Sequence, residues 1–296
     1  MSAAPLSVHV YVAPMRPFVG ASGEAGDQPI WSPMSSTLIA GERDAILVDT
    51  LVAHEQVDRL ADWVRRFDKR VVAVYVTHGH SDHWIGLAQL QKHFPGVKGI
   101  ATPDVVARAT FEATDHGLSN YWQASFPGEI PTEPVLPEAM TGDTFELEGH
   151  VLRAVSVGQG DTEHSTVLHV PSADLVEGGD VVYNGVHMMT GEVVYNGVHM
   201  MTGETDAASR QAWIESLDRV AALNPKIVVA GHKSVGAPDL PESIVASRQY
   251  LRDFSRIVND GGGVEDVVAE MLKLHGDRDN PRTLWYSARL AVSKRD

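Results

Sequence analysis

The chain contains no cysteine. Disulfide frameworks and thiolate metal sites are therefore excluded, and any metal it holds must be ligated by nitrogen and oxygen. Basic residues are scarce beside acidic ones, 24 Lys and Arg against 39 Asp and Glu, giving a formal net charge of −15. Binding to phosphate backbones or to an anionic membrane needs a basic face, so nucleic-acid and membrane partners, and nuclease chemistry with them, are disfavoured. No run of ~18 apolar residues exists to span a bilayer. The opening Met1-Ser-Ala-Ala-Pro-Leu-Ser-Val-His-Val lacks a basic segment followed by an apolar stretch of signal-peptide length. The cytoplasm is the compartment expected from it. What is present suffices to fold: 296 residues, 43% of them hydrophobic, can bury a sizeable core, and one domain over residues 1–296 is expected.

The densest chemistry lies in Thr77-His78-Gly79-His80-Ser81-Asp82-His83, directly after the β-branched run Val71-Val72-Ala73-Val74-Tyr75-Val76. That run reads as a buried strand. Side chains repeat every two residues along extended backbone, so His78 and His80 can aim to the same side. The turn beyond them can bring Asp82 and His83 to a second point a few Å away. Two ligand pairs at the mouth of a sheet suit a two-metal site.

This H-x-H-x-D-H pattern resembles the metallo-β-lactamase superfamily, and the resemblance extends over roughly residues 30 to 235. It implies an α+β fold, a four-layer αββα sandwich with metals at one edge, and a metal-bound hydroxide as nucleophile. The superfamily spans lactamases, lactonases, thioesterases, sulfatases, phosphodiesterases and some iron oxygenases, so the motif alone does not name a substrate. Further along, Val157-Gly-Gln-Gly-Asp161-Thr-Glu-His164 stands where the superfamily carries G-x-G-H-T, with Asp161 in place of the usual histidine. Carboxylate oxygen binds zinc, manganese or iron, and Asp161 is the expected third ligand of the first metal. His164 is the alternative, as ligand or as hydrogen-bond partner of one. Leu175-Val-Glu-Gly-Gly-Asp180 matches the metal-bridging aspartate, and Ile227-Val-Val-Ala-Gly-His232 matches the last ligand of the second metal.

The resemblance thus implies two divalent cations, zinc foremost, with manganese or iron as alternatives. One is held by His78, His80 and Asp161, the other by Asp82, His83 and His232, with Asp180 between them. Asp82 also orients the attacking water. Asp180-x-x-Tyr183 resembles the acyl-homoserine lactonases, where the tyrosine hydroxyl points at the lactone, and a supporting catalytic role is expected for Tyr183. The reading is hydrolysis of a small-molecule lactone, ester or related acyl compound. β-Lactam hydrolysis is the alternative within hydrolases, and a mononuclear iron oxygenase of persulfide type, using only His78, His80 and Asp161, is the alternative outside them. A homodimer is left open. His9, His54, His93, His116, His150, His169 and His275 lack such context and read as surface or packed residues.

Elsewhere a hairpin is expected over residues 36 to 49. Helices are expected over His54 to Phe67, Trp84 to Phe94, from Pro103, and over Asp206 to Leu223. Residues 117 to 142, with four prolines beside Tyr121, Trp122 and Phe126, read as a long irregular segment of the kind that forms a substrate wall or lid. Residues 181–192 and 193–204 are the same twelve letters, Val-Val-Tyr-Asn-Gly-Val-His-Met-Met-Thr-Gly-Glu. Two copies do not build a solenoid, so this is a tandem duplication. Asp180 is expected to keep its place, with the extra residues bulging out after it to reshape the pocket wall or meet a partner chain. His187 and His199, duplicates of one another, are not assigned as ligands.

Overall fold

Successive side chains of a strand point to opposite faces, and both faces of the two main sheets are apolar. The computed structural model describes residues 3–19, 29–114, 117–184 and 197–294. A six-stranded sheet runs in the spatial order Ser7–Ala13, Met34–Ala40, Asp44–Val48, Arg70–Tyr75, Lys98–Ala101, Glu138–Ala139. A five-stranded sheet runs Ile227–Val229, Leu175–Glu177, Ser165–Val170, His150–Gly158, Thr144–Leu147.

The layering follows from the alternation. Ile39, Ile46, Val48 and Tyr75 of the first sheet meet Leu152, Leu168, Leu175 and Val229 of the second in a central core. Their chain neighbours Leu38, Leu47 and Val74 face outward, against Val57, Leu60 and Val64 of the helix His54–Arg65 and against Leu87 and Leu90 of the helix Leu87–His93. On the other side Val167, Val176 and Val228 face Trp213 and Leu217 of the helix Ala207–Ala222. The helices Glu242–Asn259, Val264–His275 and Pro281–Ser293 close that layer. The result is helix, sheet, sheet, helix, the α+β sandwich expected. Among the described residues no helix is long and apolar enough to cross a membrane.

Two local expectations need correction. The helix expected from Trp84 to Phe94 starts later: a 3₁₀ turn covers Ser81–His83 and α-helix runs only over Leu87–His93. The Trp84 indole N–H donates to the Gly79 carbonyl at 2.9 Å, tying the turn back onto the histidine segment. The aromatic segment 117–142 is not a free lid either. It contains a π-helical turn, Leu118–Trp122, and Leu118, Trp122, Phe126 and Ile130 are buried in the outer core beside Trp31, leaving Tyr121 exposed. Large aromatics stabilise by burial, and here that outweighs an open wall.

Candidate metal centre

Four strands deliver the candidate site to one edge. Asp44–Val48 and Arg70–Tyr75 are parallel, as are Leu175–Glu177 and Ile227–Val229, so their carboxyl ends open the same way within each sheet. The residues just past those ends are Asp49, His78 to His83, Asp180 and His232. Ligands commonly gather outside the carboxyl ends of parallel strands. Close approach of the loops depends on two glycines. A Cβ at Gly179, whose φ is +46°, would lie 2.4 Å from the Thr77 hydroxyl, and one at Gly231 would lie 2.3 Å from Asp180 Oδ1.

The side chains form two groups around Asp180. In the first, His80 Nδ1 is 2.8 Å and His78 Nε2 3.7 Å from the two oxygens of Asp161. In the second, His232 Nε2 is 3.5 Å from Asp82 Oδ2 and 3.3 Å from Asp180 Oδ2. His83 Nε2 is 3.7 Å from Asp82 Oδ2 and 3.3 Å from Asp180 Oδ1. The sets His78, His80, Asp161; His78, His83, Asp180; and Asp82, His83, His232 each have ligand atoms close enough to share a metal ion.

Each imidazole is fixed from behind through its other nitrogen. His83 Nδ1 lies 2.8 Å from Asp49 Oδ2. His78 Nδ1 lies 3.1 Å from Thr77 Oγ1, which itself donates to Asp49 Oδ2 at 2.7 Å. His232 Nδ1 donates to the Pro33 carbonyl at 3.0 Å, and His80 Nε2 is 3.1 Å from Glu204 Oε1. An N–H on the back of each ring leaves a lone pair on the front. In His80 and His232 that lone pair faces carboxylate oxygen, an arrangement that repels unless a proton or cation lies between. The buried atoms His78 Nε2, His83 Nε2, Asp161 Oδ1 and Asp180 Oδ1 have no hydrogen-bond partner. Buried polar atoms are normally satisfied, so this inward-facing set fits divalent cations.

The titration behaviour of the metal-free protein agrees. Burial works against protonation of His232, yet Asp180 and Asp82 raise it to about 10. His83 is likewise raised well above the usual imidazole range by Asp180, Asp82 and Asp49 against the effect of burial. His80 is raised by Asp161 and Glu204. Burial pushes Asp161 up to about 6 despite His80, whereas Asp180 is held well below the carboxylate range by His232 and His83 although burial opposes it. Without metal, protons are favoured at His80, His83 and His232, whereas burial and the neighbouring His83 hold His78 well below its ordinary value.

Other expected residues fall elsewhere. The His164 side chain is 56% exposed and turns 3.9 Å from Asp104, away from the inward-facing set, so the loop presents Asp161 rather than His164. Tyr183 is buried, and its hydroxyl donates to Asp180 Oδ2 at 2.8 Å. That hydrogen bond ties the hydroxyl to Asp180, the carboxylate between the two groups. His199 is turned into the C-terminal helices, its Nδ1 3.0 Å from the Tyr250 hydroxyl. His187 and the rest of residues 185–196 lie outside the described residues. Asp49 and Glu204 were not singled out from sequence. Asp49 had a signal, a carboxylate ending a strand beside the histidine strand; Glu204 had none.

Beside the first group, Arg108 reaches Glu204 and also lines a cavity of about 370 Å³ with Asp104, Ala107, Phe111, Glu163 and His164.

Known proteins bear on this geometry in three ways. The model of the metallo-beta-lactamase superfamily matches residues 30–232. A metallo-beta-lactamase type 2 from Bacteroides fragilis is 23% identical over 233 residues, covering 76% of this chain and 79% of that protein. An atrochrysone carboxyl ACP thioesterase from Aspergillus chevalieri is 24% identical over 149 residues, half of this chain and 40% of that protein. Among solved structures, a metallo-beta-lactamase from Pontibacter korlensis superposes with a TM-score of 0.57 at 17% identity, over 85% of this chain and 97% of that one.

Proposed function

This chain belongs to the metallo-β-lactamase superfamily of metal-dependent hydrolases, and from that premise we propose that it is a dinuclear enzyme, zinc-loaded by preference, that hydrolyses a small-molecule ester, lactone or related acyl compound. The observation that carries the reading is the pair of ligand groups meeting at Asp180, with inward-facing nitrogens and oxygens left unpartnered. His78, His80 and Asp161 would hold one cation, Asp82, His83 and His232 the other, with Asp180 reaching both. The metals, when bound, lower the pKa of a water and polarise the substrate carbonyl.

The remaining work falls to the chain's own residues. Asp82 is 3.5–3.7 Å from His232 and His83, and their attraction holds its carboxyl below its ordinary value although burial opposes this. An ionised Asp82 can orient the attacking water and accept its proton at Oδ. Tyr183 fixes the rotamer of Asp180, and so the spacing of the two groups. Asp49 locks the tautomers of His78 and His83. Burial of nearly every member keeps bulk water from competing with these contacts.

A β-lactam substrate is the second reading, favoured by the Bacteroides relative that matches over most of both chains. The iron oxygenase reading would leave His83 and His232 without work, and the second group counts against it. Purification without added metal, elemental analysis and a panel of lactones, esters, thioesters and β-lactams tests the proposal. Two divalent ions per chain and turnover of one acyl class are expected. A single iron with no hydrolysis across the panel would overturn it.

A further inference from the structure

Three of the four histidines are backed by groups buried in the fold, but His80 is not. Its Nε2 meets Glu204, at the end of the downstream repeat copy. Glu204 is in turn gripped by Arg108, whose Nη2 is 3.1 Å from both of its carboxylate oxygens and 2.8 Å from Glu112 Oε1. The Trp122 indole donates to the other oxygen of Glu112 at 3.3 Å. The relay Trp122–Glu112–Arg108–Glu204–His80 thus runs from the outer core to a candidate ligand. It passes over Gly79, where a Cβ would lie 2.3 Å from Arg108 Cγ. The glycine between the two histidines makes room for the arginine that holds the carboxylate.

We infer that Glu204 is the positioning residue of His80: by accepting the Nε2 proton it fixes the ring tautomer and presents Nδ1 to the metal. The inference rests on the metal-centre reading above. Carboxylates that hold a ligating histidine from behind typically contribute 10–100-fold to metal affinity. It also assigns work to one repeat copy. Glu192 stands in the same twelve-residue context as Glu204 but lies outside the described residues; the contact with His80 is made by Glu204.

The test titrates zinc into metal-free wild type, Glu204→Ala, Glu204→Gln and Glu192→Ala against a chromophoric chelator, and records the visible spectrum of each after cobalt loading. Wild type should take up two ions. Glu204→Ala should bind one of them about 10–100-fold more weakly with an altered cobalt spectrum, while its metal-free form keeps the far-ultraviolet circular dichroism of the wild type. Glu204→Gln, which keeps an accepting oxygen, should lose less. Glu192→Ala should match wild type. Wild-type affinity and spectrum in Glu204→Ala, a larger loss in the glutamine variant than in the alanine one, or the loss appearing in Glu192→Ala would each overturn the assignment. A wild-type chain that takes up no metal would instead overturn the metal-centre reading, and this inference with it.

Discussion

His83 and His232 are held by Asp49, which is 1% exposed, and by the Pro33 carbonyl, whereas His80 is held by Glu204, whose side chain is 45% exposed. The first pair of contacts lies where strands of both sheets converge, and water cannot replace them. The second lies at the lip of the pocket, on residues outside the sheets. An exposed charged contact competes with solvent and loses most of its worth to screening, while a buried one costs dearly when broken. The buried half of the site should therefore bind its metal first and release it last, and the lip half should be where sequence change tunes affinity.

Asp49→Ala gives the largest effect. The substitution strands three donors, the Thr77 N–H, the Thr77 hydroxyl and His83 Nδ1. Each orphaned buried donor costs about 1–3 kcal/mol, so the denaturant midpoint should fall clearly and both metals should weaken, since Thr77 also backs His78. Asp49 itself has φ +56°, a conformation a non-glycine residue keeps only where its surroundings enforce it. An unchanged unfolding midpoint would show that the buried half is not what anchors the site.

Substitution of Asp161, the buried carboxylate of the His80 group, whose charged form burial already disfavours, should cost metal before it costs the fold. Asp161→Ala is expected to lose one metal equivalent and most activity with an ordinary melting curve. Asp161→His should retain or improve zinc binding, because imidazole suits zinc at least as well as carboxylate. His164→Ala should be silent in elemental analysis, and a metal lost there would place the wrong residue of this loop in the site.

Proton linkage separates the metal-free and loaded states more gently. Without metal, His232 titrates at about 10, and His80 and His83 also lie above the ordinary imidazole value of about 6.5. Groups raised on folding contribute stability that is complete below the unfolded value and is lost as pH rises through the folded one. Asp161, raised to about 6, has the same sign at lower pH. Asp180 and Glu204 have the opposite sign: their lowered values contribute above the unfolded carboxylate pKa, and that contribution fades in acid. Chelator-treated protein should thus lose melting temperature between about pH 6.5 and 10, whereas metal-loaded protein, its cations standing in for those protons, should not. Parallel slopes in the two states would argue against cations in this pocket.

How much of this was legible in the sequence depends on where the cause lay. The alternation of Leu38, Ile39 and Ala40, or of Val228 and Val229, is a local pattern, and it gave the layered sheets. His78, Asp180 and His232 follow apolar runs, so their gathering at strand ends was readable as soon as the strands were. Asp49 obeys the same rule but stands alone, without the neighbouring ligands that mark the histidine segment. The late start at Leu87 was not legible, since helical periodicity cannot see the Trp84 indole reaching back to Gly79. Nor was the burial of Trp122 and Phe126 against Trp31, a contact between distant segments. Glu204 was hidden most thoroughly, because two copies of the same letters offer two equal candidates and the Arg108 and His80 contacts of Glu204 come from distant segments.

The duplication permits the smallest test of the contrast. Removing any twelve consecutive residues within 181–204 leaves one and the same chain, so the deletion need not choose a copy. The structure uses the start of the first copy, with Tyr183 on Asp180, and the end of the second, with Glu204 on His80. Residues 185–196, one full period, lie between them and outside the described residues. The flanks already meet: the Val198 N–H donates to the Asn184 carbonyl at 3.1 Å, and Tyr183 pairs with His232 in a β-bridge. In the shortened chain Asn184 would be joined to the residue now numbered Gly197, one position before Val198, so both Tyr183 and the glutamate could keep their contacts. Lengthening a loop costs only about 0.6 kcal/mol per doubling, and removing the excess should raise stability by no more than a comparable amount. Metal content, cobalt spectrum and acyl-substrate preference should match those of the parent. A changed preference with metal content intact would instead make the second copy part of the pocket wall. A lost metal would mean that twelve residues of separation are needed to bring Glu204 to the lip.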